Sequence, residues 1–156
     1  MVMGHSRVGP NTVTFTIPST PAVTHTILRA EFPTDVVRVQ VASPVDIPNN
    51  ATNNFTLTVR KRDNTFNVTR DIASVTNNGT AWTAGVPQMP AVSTNVDATN
   101  YTQSAGYALP QPFRKLRPGD DLQVVVTTAG ASPPNVQLMV SISYMESAQQ
   151  SGAGTY

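Results

Sequence analysis

There is no cysteine in this chain. That excludes disulfide staples, thiolate nucleophiles and cysteine-ligated zinc, so the fold must rest on packing, strand pairing or association with neighbours. Charge is scarce as well: 12% of the 156 residues are charged and the formal net charge is +1, about half the usual charged share. The densest basic clusters are Arg60-Lys61-Arg62 and Arg114-Lys115 with Arg117. Each reads as a solvated strand end, too small for a nucleic-acid face. No apolar run approaches the roughly 20 residues of a membrane span. The opening "MVMGHSRVGPNTVTF" has no apolar signal core, so neither a signal peptide nor a membrane partner is expected. Helix formers are thin, with two lysines and two glutamates.

Chemistry-bearing patterns are missing too. The histidines, His5 and His25, stand far apart with no metal-ligand spacing, and His25 reads as a surface or packing residue of a strand. There is no nucleophile elbow, no phosphate-cradling glycine loop and no calcium-loop ladder of aspartates. No enzyme activity, metal or cofactor is expected. N-x-[ST] triplets at Asn50, Asn54, Asn67, Asn78 and Asn100 read as polar loop and strand residues.

What the chain does have is threonine, valine, asparagine and proline, a composition for strands joined by stiff polar loops. Period-2 alternation recurs along it. "NTVTFTI" sets Val13, Phe15 and Ile17 against Thr12, Thr14 and Thr16. "PAVTHTILRAEF" reads as a second strand, ending near Pro33. "DVVRVQVA" sets Val37, Val39 and Val41 inward, and "NFTLTV" does so with Phe55, Leu57 and Val59. After a short "RDNT" hairpin loop, Phe66 and Val68 take the inward side of the next strand. "GTAWT" reads as a return strand after the "NNG" turn. Near the end, Leu122, Val124 and Val126 align, as do Val136, Leu138, Val140, Ile142 and Tyr144. One wet face and one apolar face on about eight strands predicts an all-β, antiparallel β-sandwich, of jelly-roll or immunoglobulin-like type.

The stretch "LRPGDDLQVVV", residues 116–126, raises the one chemical question. Pro118 and Gly119 fit the middle of a type II turn, and Asp120 and Asp121 then accept bonds from nearby backbone N–H groups. Strand start explains every residue, with a metal or acid/base pair as the alternative. Adjacent in a strand, the two carboxylates point to opposite faces.

Residues 1–10 read as an N-terminal arm, 11–146 as one domain, and 147–156 as a polar tail. Within the domain, about 85–112 form a long proline-rich connection without periodicity, a length that in a compact domain is functional or disordered. It carries Val92, Val96, Tyr101, Tyr107 and Leu109. Trp82, Tyr101, Tyr107 and Phe113 are the aromatics that the strand faces leave free. Together these are the candidate interface residues. They are candidates for an association partner or for a sugar platform, and for Trp82 core or interface packing is the preferred reading.

The run "FRKLRPGDDLQVVVTT", a Pro/Asn loop and then "VQLMVSISYME" resembles the last two strands of capsid decoration, or cement, proteins of tailed bacteriophages. The resemblance covers about the final 45 residues as motif and the rest as composition. It implies a jelly-roll sandwich, a virion location, and a homotrimer that ties major capsid protein subunits together. No functional residue is carried over. The alternative is a phage tail, receptor-binding or carbohydrate-binding sandwich module.

Overall fold

The structure is a computed structural model and describes residues 11–18, 23–92 and 115–146. In chain order the strands are β1 (Asn11–Ile17), β2 (Val23–Arg29), β3 (Thr34–Ala42), β4 (Asn54–Asp63), β5 (Val68–Thr76), β6 (Ala91–Val92), β7 (Lys115–Leu116), β8 (Asp121–Ala129) and β9 (Leu138–Glu146). They form a four-stranded sheet in the order β1-β9-β3-β7 and a five-stranded sheet in the order β2-β8-β4-β5-β6. Every pairing is antiparallel, and no helix occurs among the described residues.

The alternation does what the pattern requires. Val39, Val41, Leu138, Val140 and Ile142 from the first sheet meet Phe55, Leu57, Val59, Leu122, Val124 and Val126 from the second, all fully buried in one cluster. Each such side chain contributes roughly 1.5–3 kcal/mol, so the shared core is what holds the two layers as a sandwich. Trp82 closes one end. It is 2% exposed, sits edge-on to Phe55 with ring centroids 5.1 Å apart, and its Nε1 donates to the Thr76 carbonyl at 3.2 Å.

Several expectations are corrected here. Val37 does not face inward. Val36 opposes Tyr144 and Arg38 opposes Ser143, so Val37 is the extra residue of a β-bulge and Val36 takes the buried place. Phe66 and Val68 are not core residues, being 68% and 45% exposed. The β4–β5 hairpin turns later than "RDNT", over Asn64–Asn67, with Asn67 in the left-handed region at φ 52°. This places Phe66 on the loop and Val68 at the first, outlying position of β5. "GTAWT" forms no strand; Trp82 makes only an isolated bridge to Ile47. The second strand stops at Arg29, four residues before Pro33, and β1 buries only Ile17 fully, leaving Val13 36% exposed.

The first residues of the expected long connection are ordered parts of the sandwich. Gln88 bridges Val41 on the edge of β3, with backbone bonds of 2.9 and 2.7 Å, and β6 pairs with Ala73 and Ser74 of β5. Residues 93–112 lie outside the described residues, as do the arm 1–10 and the tail 147–156.

Candidate functional site

At one end of the sandwich the chain crosses between sheets twice, from β2 to β3 through Ala30 and from β7 to β8 through residues 117–120. The second crossing is the expected turn. The Asp120 N–H donates to the Arg117 carbonyl at 2.9 Å, and Gly119 has φ 92°, the positive value that a type II turn needs at its third residue. The two crossings are laced together. Ala30 N–H donates to the Asp120 carbonyl at 2.9 Å, and Gly119 N–H donates to the Ala30 carbonyl at 2.7 Å.

The two carboxylates take different partners, Asp120 closing the turn and Asp121 opening β8. Asp120 is 1% exposed. Its Oδ2 accepts from the Arg117 N–H at 2.9 Å and lies 3.0 Å from Lys61 Nζ. Lys61 also donates to the Lys115 carbonyl at 2.9 Å, so one ammonium ties β4 to the turn and to β7 in the opposite sheet.

Asp121 is 3% exposed and sits in β8 between Arg29 of β2 and Arg62 of β4. Arg29 Nε donates to Oδ1 at 2.9 Å, and Asn64 Nδ2 donates to Oδ2 at 2.9 Å. Asn64 also bonds the Gly119 carbonyl, which pins the β4–β5 loop to the turn. Burial pushes the Asp121 carboxyl up; the bonds from Arg29 and Asn64, with the charges of Arg29 and Arg62, outweigh it and hold the carboxyl below its ordinary range. The same pairing raises the Arg29 guanidinium.

Two of the three salt bridges among the described residues lie here, and the geometry is that of a clasp. Each carboxylate faces a cation and a neutral donor, and both are almost sealed from solvent. A general acid or base needs reach to a substrate proton, which neither carboxylate has. Among the described residues, no three His, Cys, Asp or Glu side chains stand together as a metal ion would require.

The remaining candidates divide by place. Trp82 belongs to the protein's own core and offers no ring to a sugar or a partner, which corrects its standing as an interface residue. Val92 is the last residue of β6. Val96, Tyr101, Tyr107, Leu109 and Phe113 lie outside the described residues. His25 packs its ring on Phe15, centroids 5.1 Å apart, and His5 lies outside the described residues. Sequence reasoning missed Arg29 and Asn64 as partners of Asp121, and read Lys61 as a solvated turn residue. In strands separated by more than fifty positions, nothing local marks which cation meets which carboxylate.

Large apolar side chains also stand outside the core near this end. Phe32 in the first crossing is 46% exposed, Phe66 on the hairpin loop 68%, and Met145 near the end of β9 48%. No known family model matches the sequence, and no curated protein and no solved structure is similar to it.

Proposed function

We propose that this chain is a non-enzymatic structural protein that attaches to the surface of a tailed-phage capsid and bridges major capsid protein subunits. The observation that carries this reading is the clasp: Asp120 and Asp121, the strongest candidates for chemistry, are committed to internal ties, Asp120 to Lys61 at the crossing between the sheets and Asp121 to Arg29 and Asn64 within the five-stranded sheet and its hairpin. The strand order adds support. We read β1-β9-β3-β7 over β2-β8-β4-β5 as two interleaved Greek keys, the jelly-roll arrangement. The exposed Phe32, Phe66 and Met145 supply apolar contacts of the sort that adhesive surfaces use.

The test is binding of the purified full chain to tailed-phage capsids that lack it, followed by heating of the particles. Saturable occupancy with a raised temperature of capsid disruption is the expected result. Absence of occupancy, together with saturable binding on a glycan array, would overturn the reading in favour of a carbohydrate-binding module.

A further inference from the structure

The sandwich has four sheet edges, and among the described residues they are not treated alike. On the β3 edge, β7 covers Thr34 and Asp35, and Gln88 covers Val41. The edge beyond β5 carries β6. The β2 edge is broken by a bulge between Thr26 and Leu28 and ends on the charged Arg29. These are the ordinary devices by which an edge is kept from pairing with another chain.

β1 shows none of them. Among the described residues it pairs with β9 alone, in unbroken register from Asn11↔Tyr144 to Ile17↔Leu138. Its seven residues, NTVTFTI, include no ionisable group, no proline and no bulge. The inner-side Val13 is 36% exposed. On the outer side, Thr12 and Thr14 share hydroxyl bonds with Ser143 and Ser141 at 3.2 and 3.1 Å.

We propose that β1 is a homophilic docking edge, on which a second copy of this chain adds its own β1 antiparallel about a two-fold axis at Thr14. The strand is self-complementary in that register. Thr14 meets its own counterpart, Thr12 meets Thr16, and Val13 meets Phe15, so hydroxyls face hydroxyls on the wet side and apolar groups meet on the core side over the five central positions, while the outermost pairs set Asn11 against Ile17. Two uncharged edges approach without repulsion, whereas a β2–β2 contact would bring Arg29 into the join. Pairing covers the open side of Val13 and makes one continuous eight-stranded sheet from two four-stranded ones. A single strand pair falls at the small end of interface sizes, below about 1,200 Å², so the dimer is reversible.

The inference deepens the adhesive reading and does not require the partner of that reading to be a capsid. It differs from the three-fold association that the sequence resemblance implies, and mass decides between them. The experiment is sedimentation velocity of the full chain from low micromolar to sub-millimolar concentration. It is run on the natural chain, on Thr14→Lys, on Thr14→Glu, and on an equal mixture of the two variants. Thr14 is exposed, so either side chain fits a folded monomer. The expected result is a concentration-dependent dimer, weakened roughly fivefold or more in each variant alone by like charges facing across the axis, and restored in the mixture. A monomer throughout, a trimer, or a dimer that the variants do not weaken and the mixture does not restore would overturn it. A trimer would do so while leaving the capsid reading standing.

Discussion

Gly119 and Gly130 have nearly the same backbone and different surroundings. Both have positive φ, 92° and 86°, so an alanine at either place carries the left-handed penalty of about 1–2 kcal/mol. Around Gly119 a Cβ would meet nothing, whereas at Gly130 it would run into Asn53 Oδ1 and the Thr52 carbonyl. Asn53 Oδ1 is already the acceptor for Ser132 N–H at 3.0 Å. Gly119→Ala is therefore expected to lose only the backbone penalty. Gly130→Ala is expected to lose about 1–3 kcal/mol beyond it through overpacking, read as the difference in urea midpoints. Asp121 gives the other prediction at this scale. Its folded carboxyl titrates below its unfolded value, near 3.9, so between those two points the unfolded state binds more protons. Stability then rises with pH across that window and is flat above it. Acidification through pH 4 should destabilise the natural chain, and Asp121→Asn should flatten that limb while lowering stability at neutral pH. Chemical denaturation at a series of pH values measures both.

The β4–β5 hairpin and the 117–120 turn behave as one element because Asn64 and Lys61 reach from the first to the second. Asn64→Ala removes a bond to a carbonyl and another to a carboxylate, and should cost about 1–2 kcal/mol. Lys61→Met leaves Asp120 buried opposite an apolar chain and should cost more, about 3 kcal/mol. The order of those two losses, measured by thermal or urea unfolding, checks whether the ammonium or the amide is the stronger tie. How legible this region was in sequence follows from range. The Pro118-Gly119 turn is local, and the chain spells it out. Alternation likewise marked β4, β8 and β9: their inward residues lie where they were expected, except that β9 begins at Leu138 and leaves Val136 before the strand, half-buried. A bulge is the reason β3 was misread. In β3 one extra residue moves the buried valine from Val37 to Val36, and a period-2 count has no means of seeing an insertion that only the partner strand defines. Phe66 was misplaced because the loop runs on to Asn67 in a left-handed conformation, which asparagine tolerates, beyond the Thr65 at which the RDNT reading ended it.

Taken as a whole, the molecule is closed by its last two strands. β9 lies between β1 and β3, and β8 lies between β2 and β4, so the C-terminal strands are interior to both sheets while their partners come from the beginning of the chain. Asn11 waits for Tyr144, and Val23 waits for Val126. During synthesis, therefore, β1, β2 and β3 leave the ribosome before their main partners, and among the described residues the β4–β5 hairpin, extended by the short β6, is the adjacent-strand structure that can form early. Closure of such distant ends is slow. A nascent chain stalled before residue 121 would hold both layers split down the middle, with the valines of each half in water. The threonines that line the wet faces then serve a second purpose: with so little charge in the chain, their hydroxyls are what keeps that unfinished polypeptide solvated until its final strands arrive to complete both sheets.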